Sequence, residues 1–110
     1  MCCKHSSNLE SLWLDSIGVP DNRSCRGVDL RINGRKCVVD GFVKETNTVY
    51  EFHGDFWHGN PDIYNQDDLH PLQNKTFGEL YHNTLEKEKM IKFAGYHLVT
   101  MWEKVWKSRN

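Results

Sequence analysis

The chain has 110 residues, enough for one hydrophobic core but too few for two. A hydrophobic content of 38%, with four Trp, four Tyr and five Phe, excludes an intrinsically disordered chain. A formal net charge of −1 excludes any argument for nucleic-acid binding from overall basicity. No stretch resembles a signal peptide or a membrane span, so we expect a cytoplasmic protein without a membrane partner. The cysteines lack the spacing of a metal site and are expected to be free thiols in a reducing compartment: Cys2, Cys3, Cys25 and Cys37.

The first part of the chain predicts a helix followed by a β-hairpin. Ser7 and Glu10 have the spacing of a capping box, and the helix that begins there ends at Gly18. Strands are predicted over residues 28–32 and 36–43, around an Asn-Gly pair that is a strong signal for a tight turn. This part therefore has the order helix, strand, strand.

The remainder predicts a third strand, a long loop, a helix and a fourth strand. Residues 48–53 have strand composition, residues 54–78 are irregular and polar, and residues 79–94 have helical spacing. Residues 96–102 alternate as a fourth strand, and residues 103–110 form a short helix or tail. The order is thus α-β-β-β-α-β, which indicates an α/β fold with a mixed sheet flanked by helices on both faces.

Two acidic residues are expected to face one another in the second hairpin. A four-residue polar turn would close this hairpin with Val43 opposite Thr48. In that register Asp40 lies opposite Glu51, with Cβ atoms roughly 4.5–5.5 Å apart. Like charges so placed are destabilising unless a cation lies between them, so both are candidate ligands of a hard divalent metal. His53 shares the face of Glu51, because side chains alternate along a strand, and is a candidate proton-transfer group.

Several motifs together resemble a known nuclease fold. The element order, with Asp on the second strand and Glu-x-His on the third, resembles the core of the PD-(D/E)XK nucleases, with His53 in place of the usual Lys. The segment 52–58, FHGDFWH, is similar to the signature of the very-short-patch-repair (Vsr) mismatch endonucleases. The segment 95–103 resembles their late motif, an aromatic strand that ends in Trp-Glu. The resemblance spans residues 7–104.

A narrower resemblance rests on four residues, Glu10, Asp40, His53 and Asp55. Together they resemble the EDxHD class of phage-encoded homing endonucleases, whose catalytic domain is Vsr-like. The resemblance implies a restriction-endonuclease-like core and residues 1–110 as one catalytic domain, or as a fragment of a longer protein with a separate DNA-binding region. It implies a metal-dependent DNA endonuclease of homing type. The alternatives are a Vsr-like mismatch nicking enzyme and a non-catalytic nucleic-acid-binding module with a nuclease fold.

Phosphodiester hydrolysis needs a metal-activated water, charge stabilisation at phosphorus and a proton for the leaving oxygen. Asp40 and Glu51, with the backbone carbonyl of Phe52, are the predicted ligands of Mg²⁺, for which Mn²⁺ can substitute. His53 is expected to orient or deprotonate the attacking water. His58 is expected to protonate the leaving group or hold the phosphate, since imidazole suits either role near neutral pH.

Two further acidic residues complete the predicted catalytic set. Asp55 would complete a second metal position or orient a histidine, and Glu10 is implied by the EDxHD resemblance. Each has a structural alternative, because Asp55 can cap the turn after Gly54 and Glu10 can serve only the capping box.

The chain departs from the Vsr repair enzymes at their structural zinc site. Those enzymes bind zinc through Cys and His around the signature and after the final Trp-Glu. Here the corresponding positions hold Asp55, Asn60, Asp62 and Lys104. We therefore expect no structural zinc, which favours the homing-type relative over mismatch repair.

Double-stranded DNA is the predicted partner. In the Vsr enzymes, aromatic residues at the positions of Phe56 and Trp57 wedge between base steps; the alternative is that both pack on the sheet edge. Lys87, Lys89 and Lys104 are candidates for backbone contacts, unless they are only solvated. Because 110 residues with balanced charge offer little surface for a long site, we expect either a homodimer or an additional DNA-binding domain.

Overall fold

Across residues 7–109, which are those that the computed structural model describes, the fold has a four-stranded mixed sheet and four helices. The helices are α1 (Ser7–Ser16), α2 (Asp55–His58), α3 (Phe77–Phe93) and α4 (Glu103–Ser108), and the strands are β1 (Arg26–Asp29), β2 (Val38–Val43), β3 (Thr48–His53) and β4 (His97–Trp102). The strand order is β1-β2-β3-β4, antiparallel except for the parallel β3–β4 pair. The predicted α/β class and the mixed sheet flanked by helices are confirmed. Cys2, Cys3 and the predicted cap at the Ser7 side chain lie outside the described residues.

No helix within this part of the chain is long and apolar enough to cross a membrane.

The first hairpin turns where the Asn-Gly pair predicts it. Asn33 and Gly34 have φ values of 53° and 76°, both positive as a type I′ turn requires. β1 nevertheless begins and ends earlier than predicted. Arg31 has a φ of 48°, and Oδ1 of Asp29 accepts hydrogen bonds from the N–H groups of Arg31 and Cys37, at 3.2 and 3.3 Å. The Asp29 carboxylate therefore hydrogen-bonds to the backbone after residue 29, where the prediction continued the strand to residue 32.

The stretch predicted as irregular contains the single helical turn α2 and the start of α3. Gly59 ends α2 with a φ of 63°. α3 begins at Phe77 because Thr76 and Glu79 form a capping box: the N–H of Glu79 donates to Oγ1 of Thr76 at 3.1 Å, and the N–H of Thr76 donates to Oε1 of Glu79 at 2.8 Å. The predicted start at residue 79 was wrong, since the Thr-x-x-Glu signal lies earlier and Gly78 weakens the helical pattern within it.

Helices cover both faces of the sheet, as predicted. On one face, Trp13 of α1 packs against Tyr50 and Phe52, with ring centroids 6.2 and 5.9 Å apart. On the other face, Ile91 of α3 and Val49 of β3 are fully buried in one hydrophobic cluster. Because side chains alternate along β3, its odd-numbered residues face α3. Glu51 and His53 lie on that face.

The loop between α2 and α3 is organised around a buried histidine. Nδ1 of His70 accepts hydrogen bonds from the N–H groups of Leu72 and Gln73, at 3.0 and 3.1 Å. The His70 ring also packs against Phe56 of α2, with centroids 4.1 Å apart. The loop is therefore tied to α2 by side-chain packing rather than by strand pairing.

Gly59→Ala is expected to destabilise the fold strongly. A Cβ at this position would lie 2.1 Å from the backbone oxygen of Phe77, and the φ of 63° is already strained for any residue with a side chain. Gly18→Ala is the matched control, since its φ of 81° is equally unusual but no atom lies within 4 Å of its Cβ. Urea unfolding should show a loss of about 1 kcal/mol for Gly18→Ala and more than about 3 kcal/mol for Gly59→Ala. Equal losses would contradict the steric account.

Candidate functional site

The strands β2 and β3 stop pairing where the two predicted acidic residues meet. The predicted register is confirmed, with Val43 opposite Thr48. Beyond the last paired residues, side-chain carboxylates accept the hydrogen bonds of backbone N–H groups on the opposite strand. The N–H of Asp40 donates to Oε2 of Glu51 at 3.0 Å, and the N–H of Phe52 donates to Oδ2 of Asp40 at 2.7 Å. Each acidic side chain is therefore fixed against the backbone of the opposite strand.

The course of β2 changes at Asp40. Val39 belongs to the hydrophobic cluster on the α3 side, whereas a Cβ at Gly41 would meet Leu14 of α1 at 3.1 Å. Residues two apart on a regular strand share a face, so β2 must twist between these two positions. Asp40 lies at this twist, where its carboxylate reaches across to β3.

Glu10 joins the two strand carboxylates from α1. Burial, followed by the negative charge of Glu51, raises the pKa of Glu10 to about 7, although Arg26 and a side-chain hydrogen bond with Asp40 oppose the shift. A hydrogen bond between two carboxyl groups requires a proton on one of them. Oε1 of Glu10 is buried and finds no hydrogen-bond donor within residues 7–109. The site is therefore short of positive charge.

The pKa of Asp40 is raised by the same burial and negative charge. Burial and the charges of Glu51 and Glu10 raise the pKa of Asp40 well above its ordinary value, against the opposing hydrogen bond from Phe52. These carboxyl groups thus favour a proton or a metal ion close by.

Lys87 of α3 lies in the site rather than on the solvated face that its place in the sequence suggests. Its Nζ is 2.9 Å from Oε1 of Glu51 and donates to the backbone oxygen of Val38 at 2.7 Å. Burial alone would lower the pKa of Lys87, but the Glu51 carboxylate outweighs burial and raises it. Lys87, a predicted DNA-backbone contact, is thus engaged by Glu51 and Val38 in this structure.

His53 pairs with a residue that the sequence analysis did not identify. Nε2 of His53 is 2.7 Å from Oε2 of Glu88, and the His53 side chain is only 2% exposed. Its ring lies 4.8 Å from Trp102 and 4.9 Å from His58, centroid to centroid. Glu51 and His53 therefore share a face, as predicted, and each contacts a residue of α3: Glu51 pairs with Lys87, and His53 hydrogen-bonds to Glu88.

His58 is held in one tautomer by Thr84. Oγ1 of Thr84 donates its proton to the backbone oxygen of Leu80 at 3.0 Å, so the contact of 2.9 Å to Nδ1 of His58 must be donated by the imidazole. Burial, then the charges of His53 and Lys87, lowers the pKa of His58 to about 3. His58 is therefore neutral at physiological pH.

Asp55 links α2 to α4. Its Oδ1 accepts hydrogen bonds from Nδ2 of Asn60 at 2.7 Å and from the N–H of Lys104 at 3.3 Å, and its own N–H donates to Oε1 of Glu103 at 3.1 Å. Nζ of Lys104 lies 3.9 Å from Oδ2 of Asp62. Asp55, Asn60, Asp62 and Lys104, the positions at which the resemblance implied zinc ligands in the Vsr enzymes, are thus joined here by hydrogen bonds and an ion pair.

The predicted DNA-contact residues have different surroundings. Phe56 is half-buried, with ring contacts to His70 and Phe77 at centroid distances of 4.1 and 6.0 Å. Trp57 is also half-buried and lies 5.1 Å from the Phe56 ring. Lys89 is exposed and pairs with Glu86 of its own helix, at 3.3 Å. Phe56 and Trp57, which the resemblance implied would insert between DNA base steps, therefore take part in aromatic packing within the protein.

Within residues 7–109, no group of three or more His, Cys, Asp or Glu side chains is arranged as a preformed metal site. Carboxylates are nevertheless the ligand type that a hard cation prefers: Glu10, Asp40 and Glu51 interact electrostatically, and Oε1 of Glu10 is buried without a donor in the described part of the chain. The chain matches no protein-family model, no curated protein and no solved structure. Its chemistry must therefore be argued from this site.

The raised carboxyl pKa values predict that stability without metal falls as pH rises. The native state binds more protons than the unfolded state between the ordinary pKa of 4.5 for Glu10 and its native value of about 7, so the free energy of unfolding decreases across that interval. Asp40→Asn removes one of the repelling charges while keeping an acceptor for Phe52. At about pH 8 in EDTA it should be about 1 kcal/mol more stable than the wild type.

Thermal unfolding from about pH 5 to about pH 9 measures both effects. Asp67→Asn, at an exposed position in the loop before α3, is the control and should follow the wild type. If Asp40→Asn is less stable than the wild type at about pH 9, the ionised Asp40 carboxylate stabilises the fold, which contradicts the predicted repulsion.

Proposed function

We propose that the chain is a metal-dependent endodeoxyribonuclease with a PD-(D/E)XK core, closest to the catalytic domain of the EDxHD-type homing endonucleases. The observation that carries the proposal is the convergence of Asp40, Glu51 and Glu10 where β2 and β3 separate, with raised pKa values for Glu10 and Asp40. His53 adds an imidazole on the same face of β3. The order α-β-β-β-α-β, which the fold follows apart from the short α2 and α4, supports the same assignment.

A divalent cation would relieve the charge imbalance. Asp40 and Glu51, with the backbone carbonyl of Phe52, are the proposed ligands, and Glu10 offers a further oxygen without a donor. Mg²⁺ typically binds through one or two carboxylates, with waters and substrate phosphate completing its shell, so this set is sufficient. When bound, the metal would polarise the phosphate and lower the pKa of an attacking water. Mn²⁺ would substitute for Mg²⁺.

The two histidines would divide the handling of protons. Nδ1 of His53 is buried without a partner in the described chain, and Nε2 faces Glu88, so His53 can accept a proton from water. His58, neutral because its pKa is about 3, donates Nδ1–H to Thr84, so its Nε2 can accept a hydrogen bond from water but has first to gain a proton before it can hold a phosphate oxygen or protonate a leaving group. The proposal therefore assigns the base role to His53.

The homing-type assignment is favoured over mismatch repair by the surroundings of Asp55. Hydrogen bonds from Asn60 and Lys104 to Asp55, and the ion pair between Lys104 and Asp62, link α2 to α4 without Cys or His ligands. A structural zinc would find no thiolate or imidazole at these positions. This network also engages Asp55, which makes a second metal position there less favourable than a structural role.

Double-stranded DNA is the proposed substrate. Lys87, Lys89 and Lys104 are the candidates for backbone contacts, of which Lys89 and Lys104 are exposed and Lys87 is paired with Glu51. Phe56 and Trp57 are the candidates for base contacts. A homodimer or a further DNA-binding domain would supply the surface that a long recognition site needs.

A second candidate is a nucleic-acid-binding module without catalysis. One observation favours it: the ammonium of Lys87 already neutralises Glu51 at 2.9 Å, which is where a metal would be expected to bind. Under this alternative, the ion pair would replace the metal permanently.

Cleavage of supercoiled plasmid separates these candidates. Wild-type protein with Mg²⁺ is expected to nick or linearise the plasmid, and EDTA should abolish the cleavage. Asp40→Asn should reduce the rate by more than about 100-fold, because it removes a metal ligand. Since this variant is expected to be no less stable than the wild type, lost activity would not reflect unfolding.

Asp67→Asn is again the control and should cleave like the wild type. Retained DNA binding without cleavage in Mg²⁺ or Mn²⁺ would favour the binding module and contradict the proposed activity. The ratio of nicked to linear product would distinguish cutting of one strand from cutting of both.

A further inference from the structure

Neighbouring residues of α3 contact alternate residues of β3. Nζ of Lys87 lies 2.9 Å from Glu51, and Oε2 of Glu88 lies 2.7 Å from Nε2 of His53. α3 thus supplies an ion-pair partner for Glu51 and a hydrogen-bond partner for His53.

The contact with Glu88 fixes the protonation pattern of His53. An ionised carboxylate only accepts hydrogen bonds, so Nε2 of a neutral His53 must carry the proton and donate it to Glu88. Nδ1 then carries the lone pair. That atom is buried and has no hydrogen-bond partner among residues 7–109. Buried polar atoms are rarely left unpaired, so a basic nitrogen without a protein partner is placed to accept a hydrogen bond from a ligand or water.

The groups around His53 leave its Nδ1 available. His58, with its ring centroid 4.9 Å away, already donates Nδ1–H to Thr84. The Trp102 ring, 4.8 Å away, packs beside the imidazole, and no hydrogen bond joins it to Nδ1 of His53 in the described part of the chain. The ring is therefore held between two aromatic neighbours and one carboxylate, with one nitrogen unused.

We propose that Glu88 is a positioning residue that holds His53 as the Nε2–H tautomer, so that Nδ1 accepts a proton from the attacking water. This inference rests on the proposed nuclease function. The water gives one proton to Nδ1 as its oxygen bonds to phosphorus, and the resulting imidazolium is stabilised by the Glu88 carboxylate. Glu88 itself touches neither water nor phosphate.

The tautomer can be measured without any cleavage. Histidine side-chain ¹⁵N NMR at about pH 9, well above the ordinary pKa of histidine, distinguishes a protonated ring nitrogen from an unprotonated one. We expect His53 in the wild type to be protonated at Nε2. Glu88→Ala should mix the two tautomers, whereas Glu88→Gln, which keeps an acceptor oxygen, should retain more of the Nε2–H form. Glu86→Gln, on the same helix but 53% exposed, is the matched control and should leave His53 unchanged.

Cleavage kinetics test the role in proton transfer. Glu88→Gln should lower kcat by about 10–100-fold with little change in KM, because it removes the charge that stabilises the imidazolium while keeping the geometry. Glu86→Gln should retain the wild-type kcat. Together, the tautomer and the split between kcat and KM distinguish positioning from a merely structural contact, which would affect folding but neither measurement in Glu88→Gln.

Protonation of His53 at Nδ1 in the wild type, or a tautomer unaffected by Glu88→Ala, would overturn the inference even if the enzyme is active. An unchanged kcat in Glu88→Gln would overturn the catalytic part alone. If the wild type does not cleave DNA, the proposed function fails and the proton-transfer role fails with it, while the NMR result still decides whether Glu88 sets the tautomer.

Discussion

The structure is organised around carboxyl groups that repel one another where β2 and β3 separate. Asp40 and Glu51 are locked to opposite backbones, and Glu10 approaches from α1, so none can move away without losing hydrogen bonds or packing. Buried like charges of this kind are tolerated in a fold when protons or a cation neutralise them. Lys87 supplies part of the compensation. The raised pKa values of Glu10 and Asp40 indicate that the compensation is incomplete.

The second half of the chain completes the site from outside the sheet. Three residues of α3 contact it: the ammonium of Lys87 pairs with Glu51, the carboxylate of Glu88 contacts His53, and the hydroxyl of Thr84 contacts His58. The hydrogen bonds between Asp55 and the start of α4 keep α2 against the end of the sheet. A turn of helix that the sequence pattern does not reveal thereby places His58 beside His53. The same face of β3 is therefore polar at one end and hydrophobic at the other.

Much of this site could be predicted because it depends on local pairing. The register that brings Asp40 to Glu51 follows from the hairpin turn, and the shared face of Glu51 and His53 follows from strand alternation. Lys87 and Glu88 could not be found in this way, since their contacts depend on the angle at which α3 crosses the sheet. The early end of β1 could not be predicted either, because it results from one side chain: Oδ1 of Asp29 accepts hydrogen bonds from the backbone N–H groups of Arg31 and Cys37.

The central claim is that the carboxyl groups bind a divalent cation in exchange for protons. Isothermal titration calorimetry of the wild type with Mn²⁺, at about pH 6 in buffers of different ionisation enthalpy, tests it directly. Because the pKa of Glu10 is raised to about 7, the account predicts binding whose enthalpy varies with the buffer, with release of about one proton per ion. Binding without proton release, or no binding at all, would contradict it.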